Sequence, residues 1–529
     1  MWDLSCSSKS GQDTRMIVVT RTRPIALFGS NDSEMNILRS YAEFWKIPYK
    51  LGSEDSELPG FGLGSLPLPQ KSNNAPIVVT PSGTAQAEKI AREYNLQCVS
   101  KHARLDLPYA PGVEVSIETE VYEFSGPNLE SLLRCGDLTI FSRLKGTRVH
   151  LLSIDLIGQY SLRVQDGFKE RPSLKFRIAT KLPLSYQAIP KFIRDRSFRS
   201  SHGVSLLTPE KLGPVEFLRT LFLASIVLSS GPIPRVRFWR RGKTYAMAVT
   251  HDVETSYGLE KGAPHLLEVE RKLEVSSTWN LPSNRYPISK GSLREMAESG
   301  EIGGHDTKHD GRLILLNTNE KVKRLKSCKN TLEELSERPV RGFRAPLLQH
   351  SPELTFAEAK TGYQYDSSCP SWEILSPTSM RAHGVGTVFP FEMNGVLEIP
   401  VSLPQDHQLI RVAGQTPSVA VDSLLRLSNW VRGLGGACVL LIHPDYELGL
   451  RENLSEYQRL LQDFVSDPNC HIMTMGELAD WWRQRESTSW RIRDDQVDLV
   501  HSDARIASDL VAELVTGYGN QGFTTEPLS

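Results

Sequence analysis

Two histidines four residues apart, His305 and His309, directly follow a short apolar and glycine-rich run that is typical of a strand end. A spacing of four brings two imidazoles to the same side of a helical turn, from which both can bind one divalent metal ion. An isolated pair of this kind is more often a solvated turn, because short motifs match by chance. The pair therefore predicts a metal site only where further ligands and acid–base groups accompany it.

Three other groups of polar residues also end apolar runs. Asp252 and Glu254 follow one such run and are separated by one residue, so strand alternation sends both side chains to one side. Arg344 opens an Arg-x-Pro sequence at the end of a second run, and His443 opens a His-Pro pair at the end of a third. Alternation turns His251 away from the acid pair, and we expect that histidine to pack rather than to react.

The order acid pair, histidine pair, Arg-x-Pro and His-Pro, with helical segments between them, resembles the polysaccharide deacetylase family, the metal-dependent carbohydrate esterases with a NodB-type domain. The resemblance covers roughly residues 240 to 485 and implies a distorted (β/α)7 barrel. The alternation of strands and helices predicted after residue 240 agrees with such a barrel. Because parallel β/α units place the carboxyl ends of their strands on one face, the four groups would meet in one cleft.

The resemblance also implies a metal site made of Glu254, His305 and His309. Two imidazoles and one carboxylate leave positions open for water and a substrate oxygen, as in catalytic zinc sites. Zinc is the expected ion, and cobalt and nickel accept the same ligands. The commonest family form has two adjacent aspartates, and a second form separates them by one residue. This chain has the spaced form with glutamate in second place, so Asp252 remains an alternative ligand.

The same resemblance assigns the acid–base roles. Asp252 would be the general base, and Arg344 would pair with it and orient it, since a guanidinium stays charged and offers a rigid fork. His443 would be the general acid that protonates the leaving amine, because the pKa of an imidazole lies close to working pH. Asp366, or another carboxylate in the cleft, could orient that histidine.

These roles predict a metal-dependent hydrolase that removes N-acetyl groups from an amino-sugar polysaccharide or its precursor. Two alternatives remain open. The chain could be a non-catalytic relative that binds carbohydrate or serves as a scaffold. It could also be an amidase acting on a small cyclic amide or formamide, since the spaced acid form occurs in relatives of that kind. Fold alone does not decide between them.

Composition narrows the class of protein. The 529 residues are 39% hydrophobic and 23% charged, which is ordinary for a globular protein, and the net charge of −1 argues against a nucleic-acid partner. The seven cysteines are scattered without Cys-x-x-Cys spacing, which favours a reducing compartment. No secretory signal is visible, and no apolar run reaches the roughly 20 residues needed to span a bilayer. We expect a cytoplasmic protein without a transmembrane segment.

The pattern along the chain predicts an α/β protein with a smaller open-sheet domain before the barrel. Two strand-to-helix turns in the smaller domain are interpreted as ordinary helix caps of Ser and Thr, and neither has a dinucleotide or Walker pattern, so we expect no nucleotide cofactor. Residues 52–74 are interpreted as a long surface loop, and residues 489–500 suggest a hairpin. The predicted divisions are a disordered N-terminus (1–15), the open-sheet domain (16–165), a connecting segment (166–240), the barrel (241–485) and a C-terminal extension (486–529).

Overall fold

A computed structural model of the protein describes residues 15–20, 22–52, 58–63, 75–169, 171–179, 212–373, 384–493 and 496–528. Residues 1–14 of the segment predicted to be disordered lie outside the described residues. The strands, numbered in chain order, are β1 (Arg15–Thr20), β2 (Ile25–Phe28), β3 (Tyr49–Leu51), β4 (Gly60–Leu63), β5 (Ile77–Thr80), β6 (Gln97–Ala110), β7 (Val113–Ser125), β8 (Leu129–Cys135), β9 (Leu138–Leu144), β10 (Val149–Leu152), β11 (Ile233–Val236), β12 (Tyr245–Asp252), β13 (Thr278–Leu281), β14 (Glu301–Gly304), β15 (Gly342–Phe343), β16 (Tyr365–Asp366), β17 (Phe391–Met393), β18 (Val396–Glu398), β19 (Ala437–Ile442), β20 (Cys470–Ile472), β21 (Ser489–Arg493), β22 (Gln496–His501), β23 (Ala512–Gly519) and β24 (Gly522–Pro527).

The α-helices of the described residues connect and cover these strands. They are Asp32–Trp45, Thr84–Glu93, Leu156–Tyr160, Leu174–Ala179, Pro214–Ser230, Ala263–Lys272, Lys290–Ser299, Thr318–Ser336, Pro352–Thr361, Pro417–Leu434, Leu454–Val465, Met475–Glu486 and Ala504–Asp509. Short π-helical turns lie at Ser161–Asp166, Gly258–Gly262 and Gln408–Val412. In the part of the chain that the structure describes, no helix combines the length and the apolarity that crossing a bilayer demands.

The N-terminal sheet has seven strands in the order β3-β2-β4-β5-β10-β9-β8. Its first five strands in that order are parallel, and β9 and β8 add an antiparallel edge. The interpretation of residues 52–74 as one loop is wrong, because β4 lies in the middle of this sheet with Phe61 fully buried. The helix caps are Asn31 and Gly83 rather than Ser and Thr. A long antiparallel hairpin, β6–β7, follows the second helix.

The second large sheet has nine strands. Seven parallel strands follow the order β18-β16-β15-β14-β13-β12-β19, β17 is added antiparallel at one edge, and β20 also pairs parallel with β12. This sheet curls into a half-barrel. Its two ends approach each other at Ser402, whose hydroxyl donates to the carbonyl of Ala437 at 2.6 Å and accepts from the N–H of Val439 at 2.8 Å. A side-chain contact therefore connects the segment after β18 to β19, and the described residues have no strand ladder between them.

The helix Pro214–Ser230 joins the two sheets. Its residues 215–227 are buried on every side, which marks a core helix. Trp45 of the N-terminal layer donates its indole N–H to the carbonyl of Arg219 at 2.9 Å, and the Arg219 guanidinium donates to the hydroxyl of Thr387 at 2.9 Å. These contacts tie the N-terminal sheet to the half-barrel.

The C-terminal residues pair with two strands that lie far apart in the sequence, β1 and β11. The predicted hairpin is present as β21–β22, and β22 pairs with β1. β23 pairs with β11, where Arg235 and Arg237 each bind Glu513 at 2.7 Å. Arg235 and Arg237 therefore help to hold the C-terminal sheet against β11.

Candidate active site

Four parallel strands deliver polar side chains to one edge of the half-barrel. β12 ends at Asp252, and His305, Arg344 and His443 directly follow β14, β15 and β19. These strands pair in register with their neighbours, so their carboxyl ends lie on one face. The convergence that the sequence predicted for these residues is present.

Asp252 is held by donors on two sides. Its Oδ1 accepts hydrogen bonds from Arg344 at 3.1 Å and from the side-chain amide of Asn280 at 3.0 Å. Arg344 is fully buried and is fixed in turn by the hydroxyl of Thr250 at 2.7 Å and by the carbonyl and hydroxyl of Ser367, both at 2.9 Å. All three guanidinium nitrogens of Arg344 therefore donate hydrogen bonds, which fixes the orientation of Arg344 toward Asp252.

Both acids of the pair are carboxylates near neutral pH. Burial raises the pKa of Asp252, but His305 and Arg344 outweigh burial and hold that pKa below its usual value. Burial acts in the same direction on Glu254, whose pKa is nevertheless held well below its usual value by His309 and the other nearby imidazoles. An ionised carboxylate is the form that binds a metal ion or accepts a proton.

Glu254, His305 and His309 bring one ligand atom each to within 4.8 Å of one another. The Nδ1 of His305 lies 2.7 Å from the carbonyl oxygen of Arg344, so Nδ1 carries the proton and Nε2 is left with its lone pair. Burial lowers the pKa of His305 to about 4, which keeps the ring neutral. Its buried Nε2 has no hydrogen-bond partner among the described residues, as expected of a nitrogen prepared for a metal ion.

The position of Asp252 relative to this cluster differs from that of Glu254. Oε1 of Glu254 lies 3.2 Å from Nε2 of His309, whereas Oδ2 of Asp252 lies 3.8 Å from Nε2 of His305. Because Oδ1 of Asp252 is already bound by Arg344, the geometry favours Glu254 as the third ligand.

The expectation that the two histidines lie on a helical turn is wrong. Residues 305–312 form an irregular loop in which Asp306 and His309 have φ values of 68° and 51°. Arg324, from the helix that follows, binds the carboxylates of Asp306 and Asp310 and so holds the loop at both ends. The ring centroids of His305 and His309 nevertheless lie 4.8 Å apart, because the irregular loop brings the two side chains together in place of a helical turn.

The partner of His443 is Asp406, which the sequence did not single out. Oδ1 of Asp406 lies 2.9 Å from Nδ1 of His443, and Oδ2 accepts from the N–H of Leu448 at 3.3 Å. Asp366, which the sequence offered as one candidate beside any other carboxylate of the cleft, instead accepts hydrogen bonds from the N–H of Ser367 at 2.9 Å and from the Ser368 hydroxyl at 2.5 Å.

The environment of His443 favours its protonated form. Burial lowers the pKa of this ring, but the hydrogen bond and negative charge of Asp406, together with Glu254 and Asp252, raise it to about 9. Tyr446 stacks on the ring at 4.7 Å between centroids. A buried imidazole that holds a proton at neutral pH is suited to donate it to a leaving group.

Comparison with known proteins identifies the domain that carries this site. The sequence model of the polysaccharide deacetylase family matches residues 241–365. The chain therefore contains a NodB-type polysaccharide deacetylase domain. No curated protein matches the sequence of the chain.

Solved structures that are similar to part of this chain include the following three proteins. A proposed polysaccharide deacetylase from Mycobacterium smegmatis is 22% identical, with 48% of this chain and 96% of that one covered and a TM-score of 0.42. An allantoinase is 14% identical, with 47% and 93% covered and a TM-score of 0.39. A carbohydrate esterase family 4 pseudoenzyme from Bacillus anthracis is 16% identical, with 45% and 66% covered and a TM-score of 0.32.

Proposed function

We propose that this protein is a metal-dependent hydrolase that removes N-acetyl groups from an amino-sugar polysaccharide or its precursor. The observation that carries the proposal is the cluster of half-buried Glu254 with buried His305 and His309, which lies beside the Asp252 carboxylate that Arg344 binds. The curled sheet is interpreted as the distorted (β/α)7 barrel of the family, with residues 241–485 as the catalytic domain and residues 16–165 as a separate α/β domain.

Glu254 and the Nε2 atoms of His305 and His309 would hold a divalent ion, with zinc as the first choice. Such an ion would supply Lewis acidity and would lower the pKa of bound water to about 7. Asp252 accepts the proton of the attacking water, because its carboxylate is ionised and has Oδ2 free of Arg344. Arg344 holds that carboxylate in place.

His443 supplies the proton that the leaving amine needs. Its Nδ1 is bound to Asp406, so Nε2 is the nitrogen that donates to the amine when the carbon–nitrogen bond breaks. Hydrolysis then yields acetate and a free amino group, with one proton accepted by Asp252 and one donated by His443. The two groups occupy ends of neighbouring strands, β12 and β19.

Metal content tests the cluster directly. We expect wild-type protein dialysed against trace zinc to retain about one ion per chain by elemental mass spectrometry, since three protein ligands suffice for a catalytic site. His305→Ala should retain almost none. His102→Ala is the matched control, because that histidine has a 66% exposed side chain in β6, and it should keep the wild-type metal content.

Activity assays on the same protein samples distinguish the deacetylase from the amidase and from a non-catalytic relative. Acetate release from N-acetylglucosamine oligomers, lost in His305→Ala, would support the deacetylase. Release of product from a small cyclic amide, without acetate release from the glycan, would support the amidase instead. Wild-type protein that binds no metal would overturn both and favour a non-catalytic glycan-binding relative.

Asp406 gives a further prediction, on pH dependence. Asp406→Asn removes the carboxylate that raises the pKa of His443, so that pKa falls and protonated His443 is lost at a lower pH. We expect the alkaline limb of the kcat–pH profile to move toward acid, with a decrease in kcat of about 10- to 100-fold. Asp366→Asn should leave the limb in place, since Asp366 does not contact His443. A limb that moves with Asp366 instead would contradict the assignment.

The proposed compartment is the cytoplasm. All six described cysteines are free thiols, and those at 328, 369, 438 and 470 are buried. Unpaired cysteines agree with a reducing environment. Recovery of the native protein outside the cell would contradict this proposal.

A further inference from the structure

Asp445 lies two residues after His443 and contacts the segment that carries Glu254. Its Oδ2 accepts a hydrogen bond from the backbone N–H of Glu254 at 2.9 Å, and its Oδ1 accepts one from the hydroxyl of Thr255. That hydroxyl in turn accepts from the N–H of Gly258 at 3.1 Å. One half-buried carboxylate therefore ties the segment after β12 to the segment after β19.

Two glycines allow these segments to approach so closely. A Cβ at Gly258 would lie 2.3 Å from Oδ1 of Asp445, and a Cβ at Gly262 would lie 1.9 Å from the carbonyl oxygen of Pro444. Both glycines belong to the π-helical turn Gly258–Gly262. Any larger residue at either position would force the two segments apart.

We propose that Asp445 is a positioning residue for the metal ligand Glu254. Glutamate has one more rotatable bond than aspartate, so its carboxylate can occupy more positions. A fixed backbone at Glu254 is therefore needed to hold that carboxylate at the metal. Asp445 fixes that backbone from the strand end that also delivers His443, which links the geometry of the ligand to that of the proton donor. The inference rests on the proposed function, since it assumes that Glu254 binds metal.

Zinc affinity, measured by competition with a chromophoric chelator, tests this role. Partners of metal ligands contribute about 10- to 100-fold in affinity, so Asp445→Ala should weaken zinc binding by that factor. Asp445→Asn should weaken it less, because an amide oxygen still accepts the N–H of Glu254. Gly258→Ala should resemble Asp445→Ala, because its methyl group displaces the carboxylate.

Activity gives a second measurement that loss of fold alone would not reproduce. The zinc concentration that gives half-maximal acetate release should rise in Asp445→Ala by the same factor as the zinc dissociation constant. Asp422→Ala, at a helix position with a 64% exposed side chain, should leave both values at wild type.

The outcomes distinguish this inference from the proposed function. Wild-type zinc affinity in both Asp445→Ala and Gly258→Ala would overturn the positioning role and leave the hydrolase proposal standing. A wild-type protein without zinc affinity would overturn both. If Asp445→Ala does not fold, Gly258→Ala and Thr255→Val decide, since Thr255→Val removes one of the two donors and should weaken zinc binding by a smaller factor.

Discussion

Asp252→Asn is expected to lower kcat/KM for acetate release by about 10³-fold while leaving about one zinc ion per chain. The amide can still accept the hydrogen bond from Arg344, so the surroundings keep their contacts. An amide has no basic oxygen that can take a proton from water, and the reaction loses its general base. Elemental mass spectrometry and an acetate assay on the same sample measure both quantities.

Glu254→Gln is the companion variant, because it makes the same change at the proposed metal ligand that Asp252→Asn makes at the proposed general base. If Glu254 is the ligand, this variant should lose the metal and the activity together. Asp422→Asn serves as the surface control and should change neither quantity. Loss of zinc from Asp252→Asn, with zinc retained in Glu254→Gln, would show that Asp252 is the ligand and would reverse the two assignments.

The strand ends of the candidate site could be predicted from the sequence because each is a short apolar run that stops at a polar residue. β14 illustrates this, since the apolar and glycine-rich run before His305 is present as the strand Glu301–Gly304. The longer β12 was also recognisable, and its last residue is Asp252. Burial of an apolar run is a local property of the chain, so local pattern is sufficient to find it.

The support of the histidine pair could not be predicted in the same way. The positive φ values of Asp306 and His309 occur at residues other than glycine, and Arg324 stabilises them from a helix 18 residues further along the chain. The Asp406–His443 pair spans 37 residues. With 62 acidic residues in the chain, spacing alone does not choose the carboxylate that faces a given histidine.

Strand β4 could not be predicted from the sequence for a different reason. Its sequence, Gly-Phe-Gly-Leu, lies in a stretch rich in glycine, serine and proline, which is typical of loops. The strand is stabilised by parallel neighbours on both sides and by burial of Phe61. Tertiary pairing decided its structure against local propensity.

Behind the candidate site, His251 anchors β12 to the surrounding helices. Its Nδ1 lies 3.0 Å from the carbonyl of Ile442, and its Nε2 lies 2.7 Å from Oε1 of Glu270. Tyr457 donates to the same carboxylate oxygen at 2.6 Å, and Ser277 donates to the other at 2.7 Å. Every one of these side chains is buried.

Glu270→Ala should therefore destabilise the fold by about 3–5 kcal/mol, because three buried polar side chains lose their partner and each unsatisfied buried group costs about 1–3 kcal/mol. The substitution leaves the ring of His251 and the hydroxyls of Tyr457 and Ser277 without the Glu270 carboxylate. Urea unfolding measures the loss as a lower midpoint at an unchanged slope. Glu268→Ala, two residues away and exposed, should keep the wild-type midpoint. A wild-type midpoint in Glu270→Ala would mean that the strand carrying Asp252 is held by packing alone, without this network.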